Sequence, residues 1–320
     1  MDNFYIPKKL SIELTDKCNL SCVHCFREAG CEKNKTYIAN NTITSIIEKC
    51  YKSQVKHISY TGGEPFFSDE IFNIVEKTAY YKIPFSISTN GYRKLYKYTD
   101  LFEKSKPKSF QVSLDGDEST HNLIRNNANA YKRLCEFLLW AKELNIKCKV
   151  QFTAMPQNIN TISFLPKFVE KYSIDSVHIA IALPVGRFKS ENTLSYNQLL
   201  LVNEMKENLK SVNKIRVSST LFGKYQLLNY IENCKKNINY FITPVIKQTG
   251  YLHPFWGLDE KWNFQNIAEQ ELFLNENILN ASYAVIKKAI IESLIILERQ
   301  KLLDFNSVVY NCYKKGGCIL

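Results

Sequence analysis

Short apolar runs alternate with longer helical patterns along the first 180 or so residues of the chain. The longer stretches space their apolar residues like one face of a helix, as Ile43, Ile46 and Ile47 do. Strands that alternate with helices indicate βαβ units and a parallel sheet. The predicted strands cover residues 10–14, 56–60, 84–88, 110–114, 147–154 and 176–182, and the clearest helices cover 42–52, 69–81 and 131–145. We therefore predict an α/β fold, an open, partial (β/α)6 barrel of the TIM type.

The alternation stops beyond residue 190, where residues 195–209 and 221–236 have helical patterns instead. We therefore predict two domains. Residues 1–215 would form the partial barrel, and residues 216–320 a smaller, mostly helical domain.

Composition places the chain among globular proteins, with 320 residues of which 45% are hydrophobic and 23% are charged. The first residues contain no apolar segment of a signal peptide, and the most apolar helical stretch, 281–303, is interrupted by Lys287, Lys288, Glu292 and Glu298. We therefore expect neither secretion nor a membrane span. Ten cysteines at irregular spacing then favour a reducing compartment, the cytoplasm.

The formal net charge is +11, and it comes mainly from lysines that are scattered rather than gathered in one basic block. Such scatter is typical of compositional bias, so we expect no nucleic-acid partner. A basic surface would still suit an acidic peptide.

Three cysteines, Cys18, Cys22 and Cys25, follow the first predicted strand within eight residues. A loop this short can direct three thiolates at one point, and three rather than four suits a 4Fe-4S cluster with one iron left for a non-protein ligand. The alternative is a structural zinc site. Zinc needs four ligands in a closed shell, and His24 and Cys31 are the nearest candidates for the fourth.

A second motif, Gly62-Gly63-Glu64-Pro65, ends the second predicted strand. Glycines there let backbone groups approach a ligand closely, and a glutamate can accept hydrogen bonds from an ammonium group. Together with the cysteine loop one βα unit earlier, this motif resembles the signature of the radical S-adenosylmethionine (SAM) superfamily.

The resemblance implies a set of cofactor contacts. Cys18, Cys22 and Cys25 would each hold one iron of a 4Fe-4S cluster, and the fourth iron would take the amino and carboxylate groups of SAM. The remaining implied SAM-binding residues are Gly62, Gly63 and Glu64 at the methionine end, Ser88 and Asn90 at the end of the third strand, Ser113 and Asp115 at the end of the fourth, and Arg125, which can hold the SAM carboxylate bidentately.

The C-terminal hundred residues resemble, incompletely, the SPASM extension of radical SAM proteins. Cys234 and Gly250 match its opening, but Phe255 occupies the position of its second cysteine. Cys312 and Cys318 resemble its terminal elements. One auxiliary cluster would need these three cysteines to converge and either find a fourth ligand or leave one iron open, because Fe-S clusters ordinarily take four cysteine ligands. Loss of the auxiliary clusters is our expectation, and a retained thiol of Cys234, Cys312 or Cys318 would then be a candidate hydrogen donor to a substrate radical.

The resemblance implies reductive cleavage of SAM to a 5'-deoxyadenosyl radical that abstracts hydrogen from a substrate. The expected partners are a ribosomally made precursor peptide, which would be crosslinked, epimerised or oxidised, and a flavodoxin- or ferredoxin-type electron donor. Two alternatives remain: a radical SAM enzyme acting on a small molecule, and a non-enzymatic binding protein stabilised by zinc or a cluster.

Overall fold

The computed structural model describes residues 7–32, 36–189, 193–213, 215–236, 244–253, 265–266 and 276–315. Its strands are β1 Lys9–Glu13, β2 His57–Thr61, β3 Phe85–Thr89, β4 Ser109–Ser113, β5 Cys148–Ala154, β6 Ser176–Ile181, β7 Arg216–Ser219, β8 Leu221–Phe222, β9 Val245–Ile246, β10 Tyr251–His253, β11 Gln265–Asn266 and β12 Leu303–Asp304. Its helices are α1 Asn40–Lys52, α2 Glu70–Tyr80, α3 Thr99–Lys104, α4 Glu118–Arg125, α5 Ala130–Glu143, α6 Leu165–Tyr172, α7 Tyr196–Asn213, α8 Lys224–Lys236, α9 Glu276–Arg299 and α10 Phe305–Lys315.

Within these ranges ten strands form one sheet in the order β11-β10-β9-β1-β2-β3-β4-β5-β6-β7. Strands β1 to β7 pair in parallel with their neighbours, and β1 to β6 lie where the hydrophobic pattern predicts strands. The order does not join β7 to β11, so the described sheet is an open, partial barrel. This confirms the predicted fold class.

The β/α alternation nevertheless continues past residue 190, contrary to expectation. Helix α7 leads into β7, which pairs in parallel with β6 from Ser176 opposite Arg216. β7 escaped prediction because its four residues, Arg-Val-Ser-Ser, are half exposed and carry no apolar run. It also carries the sheet across the predicted boundary at residue 215.

The other edge of the sheet also recruits residues from the C-terminal part. β9 pairs in parallel with β1, and β10 returns antiparallel to β9. Strands of two or three residues give no periodic signal in the sequence, so only their pairing identifies them.

Side chains alternate between two environments along each barrel strand. In β5, Cys148, Val150, Phe152 and Ala154 are buried in the main core, whereas Gln151 and Thr153 between them line the interior of the barrel. This period of two divides each strand into a packing face and a cavity face.

The C-terminal helices pack around a second apolar group. It contains Leu227, Val285, Ile286, Phe305 and Cys312 and joins α8, α9 and α10. The part of the chain that the structure describes contains no helix with the length and apolarity needed to cross a bilayer.

Candidate active site

The loop after β1, residues 16–32, carries the three cysteines. Cys18 and Cys22 are buried in one small apolar group with Leu20 and Ala29, and Cys25 packs against it. The backbone N–H of Cys18 donates to the carbonyl of Gly30 (2.8 Å), which closes the loop on itself. All three cysteines line a cavity of about 620 Å³ at the carboxyl ends of the barrel strands.

Cys18 and Cys22 lie where a thiolate is favourable only beside a bound cation. Burial, with Glu64 adding to it, raises the pKa of Cys18 to about 12, and burial raises that of Cys22 although Arg125 opposes it. Thiolates are therefore costly here unless positive iron offsets their charge. Among the described residues no group of three or more His, Cys, Asp or Glu is arranged to hold a single metal ion. Thiols that each bind a different iron of a cluster do not have to converge in that way.

Gly62 and Gly63 lie against the cysteine loop. The backbone N–H of Gly63 donates to the carbonyl of Thr15 (2.7 Å), and that of Glu64 donates to the carbonyl of Lys17 (2.8 Å). A Cβ on Gly63 would come within 2.1 Å of the Lys17 oxygen, and one on Gly62, whose φ is 139°, within 2.4 Å of the Thr15 oxygen. Glycine is thus required for contact with the loop itself, and both glycines also line the cavity.

Glu64 is buried behind the cavity wall. Its carboxylate accepts hydrogen bonds from the N–H groups of Phe66 (3.0 Å) and Asn90 (2.7 Å) and from the hydroxyl of Thr89 (2.8 Å). Burial raises its pKa to about 7, although these three donors oppose the shift. Asn90 in turn donates from Nδ2 to Asn19 Oδ1 (3.0 Å) and toward Cys18 Sγ (3.7 Å). Glu64 therefore orients a residue that touches the cysteine loop.

Asp115 and Arg125 form a buried ion pair beside Cys22. Arg125 Nη2 lies 2.6 Å from Asp115 Oδ2, and Nη1 donates to Cys22 Sγ (3.5 Å). Burial works to raise the pKa of Asp115, but Arg125 together with the smaller effects of His24, His121 and the Thr153 N–H outweighs it, and the net shift is downward. Nε of Arg125 is buried with no hydrogen-bond partner among the described residues. Arg125 also lines the cavity, where a guanidinium suits a carboxylate such as the one SAM carries.

Two histidines complete this group. His24 Nε2 lies 3.8 Å from Asp115 Oδ2, and burial lowers the pKa of His24 to about 4 although Asp115 opposes it. His121 Nδ1 accepts the backbone N–H of Asp115 (3.2 Å). Both rings are therefore neutral near pH 7.

Sequence reasoning missed Arg187, which holds the cysteine loop from the far side. Its Nε donates to the carbonyl of Cys22 (2.9 Å), its Nη2 to that of Ala29 (2.9 Å), and its backbone N–H to that of Cys25 (3.2 Å). A Cβ on the preceding Gly186, whose φ is 63°, would lie 2.5 Å from the Cys25 oxygen. The sequence did contain a signal for Arg187: Gly186-Arg187 follows the predicted strand 176–182, just as polar residues follow the other predicted strands.

A second missed set is the ion triad of Glu13, Arg27 and Lys247. Arg27 and Lys247 both contact the nearly buried carboxylate of Glu13. Burial works to raise the pKa of Glu13, but the two cations lower it overall. The triad ties the cysteine loop to the turn after β9, more than 200 residues away, and no local pattern could have revealed it.

Polar, uncharged side chains also line the cavity, beside apolar ones such as Phe26, Ile181 and Leu183. Ser88 and Ser113 lie there as predicted strand-end residues, and Gln111, Gln151 and His178 join them. His178 Nδ1 lies 2.8 Å from Ser218 Oγ, and burial lowers the pKa of this histidine. This polar part of the lining, the cavity floor, is therefore rich in hydrogen-bonding groups and electrically neutral.

The C-terminal cysteines are only partly described. Cys312 is buried in the second apolar group and is not among the residues that line the cavity. Cys234 belongs to α8, but its side chain, together with Phe255 and Cys318, lies outside the described residues. Gly250 forms the turn between β9 and β10 with a φ of 88°. Loss of the auxiliary clusters therefore stays a prediction.

Comparisons with known proteins agree with this site. Residues 12–168 match the radical SAM superfamily. The mycofactocin maturase MftC of Mycolicibacterium smegmatis is 29% identical over 184 residues, 57% of this chain and 46% of that protein. The GTP 3',8-cyclase of Clostridium acetobutylicum is 28% identical over 182 residues, 55% of this chain and 53% of that protein. The chain thus matches about half the length of these relatives.

A solved structure shares the fold. Streptococcus suis SuiB bound to S-adenosylmethionine superposes with a TM-score of 0.69 and 20% identity, covering 83% of this chain and 64% of SuiB. Residues 12–168, the segment that matches the radical SAM superfamily, contain the cysteine loop, the Gly-Gly-Glu turn and the Asp115–Arg125 pair. Residues 12–168 therefore form a radical SAM domain, and the cofactors of that superfamily are a 4Fe-4S cluster and S-adenosylmethionine.

Proposed function

We propose that this radical SAM enzyme modifies a ribosomally made peptide by crosslinking, epimerisation or oxidation. When bound, the cluster and SAM supply a 5'-deoxyadenosyl radical, which removes hydrogen from a carbon of the substrate. In the proposal Cys18, Cys22 and Cys25 hold the cluster. Gly62, Gly63, Ser88, Asn90, Ser113 and Arg125 surround SAM, while Glu64 and Asp115 keep Asn90 and Arg125 in place.

The observation that carries the proposal is the neutral, polar floor of the cavity. Gln111 Nε2 donates to Gln151 Oε1 (3.4 Å), and the further donors and acceptors of the two amides complement the amides of a peptide. The cationic lining side chains of the described cavity are Arg27 and Arg125, and each is already paired, with Glu13 and Asp115. A substrate with several negative charges, such as a nucleoside triphosphate, would find no further cation on this lining.

Named relatives support both a peptide and a small-molecule substrate. SuiB has been crystallised with its precursor peptide SuiA, whereas the cyclase is named for GTP. The neutral floor favours the peptide for this chain.

The test is product analysis with anaerobically reconstituted, reduced protein. Short peptides encoded next to the gene should raise the yield of 5'-deoxyadenosine and should lose two hydrogens, or gain one solvent deuterium on epimerisation, by mass spectrometry. Gln111→Ala and Gln151→Ala should weaken peptide turnover more than peptide-free SAM cleavage. Turnover of GTP or a tetrapyrrole, with every peptide unchanged, would instead establish the small-molecule alternative.

A further inference from the structure

A second, open depression lies on the outer side of the cysteine loop. Its volume is about 450 Å³. Cys18 lines the inner cavity and the next residue, Asn19, lines this outer depression. Consecutive residues of the cysteine loop therefore line the two cavities.

Side-chain contacts connect the depression to the proposed cluster ligand. Tyr92 lines the depression and also packs against the apolar group that holds Cys18 and Cys22. Asn90 contacts both Asn19 Oδ1 (3.0 Å) and Cys18 Sγ (3.7 Å). A partner seated in the depression would thus be separated from the cysteine by a single layer of side chains.

The depression has an aromatic floor and a basic rim. Phe66, Phe67 and Tyr92 form part of the floor, and Phe67 is 38% exposed. The rim carries three cations, Arg93, Lys94 and Arg133, against one carboxylate, Asp69.

The rim retains a positive charge after its ion pairs are counted. Arg93 pairs with Asp69, and Arg133 pairs with Glu136 (2.9 Å) at the surface. Lys94 is exposed and forms none of the ion pairs found in the described structure. Aromatic and arginine side chains are enriched at protein-binding surfaces, and the sign of the charge selects an acidic partner.

We propose that this depression is the docking surface of an acidic one-electron donor protein of the flavodoxin or ferredoxin class. SAM and substrate occupy the inner cavity, so the donor has to approach the cluster from the outer side of the loop. One electron leaves the reduced donor and enters the oxidised cluster, and no bond or proton is exchanged. The inference rests on Cys18 as a cluster ligand, not on the nature of the substrate.

The test compares two reductants on the full-length, reconstituted protein without substrate. The variant is Lys94→Glu with Arg133→Glu, and the matched control is Lys106→Glu with Lys108→Glu, two exposed lysines before β4 at the opposite end of the barrel. With a purified flavodoxin kept reduced by its reductase, the rate of 5'-deoxyadenosine formation at low donor concentration should fall about tenfold in the variant only. With dithionite as the reductant, the variant, the control and the wild type should form 5'-deoxyadenosine at equal rates.

Added salt should weaken the flavodoxin-driven reaction of the wild type but hardly that of the variant, because it screens exposed charges. Equal flavodoxin dependence of variant and wild type would overturn the proposal. The proposal would also be overturned if the variant lost the same fraction of its rate with both reductants at unchanged iron content, since the rim residues would then affect the cluster itself. If the double variant loses iron, the single exposed change Lys94→Glu decides by the same comparison. A higher peptide KM under dithionite, with flavodoxin dependence intact, would assign the depression to the peptide instead.

Discussion

The guanidinium of Arg125 and the carboxylate of Asp115 form an ion pair, 2.6 Å between Nη2 and Oδ2, in which both side chains are less than a tenth exposed. Arg125 ends α4 and Asp115 follows β4, so the pair joins two elements at the rim of the cavity. Arg125 also reaches Cys22 Sγ. Asp115, which is not among the residues that line the cavity, therefore sets the orientation of Arg125 toward the cavity.

Arg125→Ala should weaken SAM binding and also destabilise the fold. A charge-assisted hydrogen bond contributes about 1.5 to 3 kcal/mol, and an orphaned buried charge such as Asp115 costs about 3 to 5 kcal/mol. The measurements are SAM affinity of the reconstituted protein and urea unfolding. Arg125→Lys should recover most of the stability but not the affinity, because lysine cannot bind a carboxylate bidentately. The exposed Arg216→Ala is the control, and SAM affinity unchanged in Arg125→Ala would place the SAM carboxylate elsewhere.

Cys22→Ala should abolish both the visible absorbance of the cluster and the formation of 5'-deoxyadenosine, since a cubane with two protein ligands is poorly held. Cys31→Ala is a matched control, because Cys31 lies in the same loop but is exposed. Iron and sulfide analysis of both variants checks the expectation. Full SAM cleavage by Cys22→Ala would remove this cysteine from the ligand set.

Arg187→Ala should reduce iron incorporation although it changes none of the proposed cluster ligands. The side chain donates two hydrogen bonds to carbonyls of the cysteine loop, and their loss leaves buried acceptors unpaired, at about 1 to 3 kcal/mol each. Arg187→Lys should recover part of the iron content. Normal loading of the alanine variant at limiting iron would show that the loop needs no such support.

Stability of the cofactor-free protein should fall in acid partly through His121. Burial, with Arg125 adding to it, lowers the pKa of this residue to about 3, whereas an unfolded histidine titrates near 6.5. The unfolded state therefore binds the proton at the higher pH, so this contribution is complete above pH ~6.5 and is lost as the pH falls from there toward 3. His121→Gln keeps an acceptor for the N–H of Asp115 and should flatten the slope of unfolding free energy against pH. An unaltered slope in urea titrations would assign the acid sensitivity to other groups.

Reconstituted wild-type protein should hold about four irons, because Cys312 is buried among apolar side chains of α8, α9 and α10 and a cluster ordinarily needs four cysteines. Replacing Cys234, Cys312 and Cys318 together by Ala should leave that number unchanged. About eight irons, falling to four in the triple variant, would instead indicate an auxiliary cluster. With four established, a hydrogen donor among the three is recognised by a single Ala variant that still makes 5'-deoxyadenosine but no finished product.

The sequence by itself determined the elements whose signal is local. Short apolar runs identified β1 to β6, and the spacings of Cys18, Cys22 and Cys25 and of Gly62, Gly63 and Glu64 identified the two motifs, because each pattern lies within one element or turn. Tertiary structure alone decided the partners of these motifs. Arg187 meets Cys22 across 165 residues, and Lys247 meets Glu13 across 234.

Such pairs depend on how parallel strands bring their carboxyl ends together, and no local pattern encodes that geometry. The short strands β7, β9 and β10 exist only as pairings with the edges of the sheet. The positions of Glu64 and Asp115 behind the cavity wall likewise came only from their burial and contacts, which residue type alone does not specify.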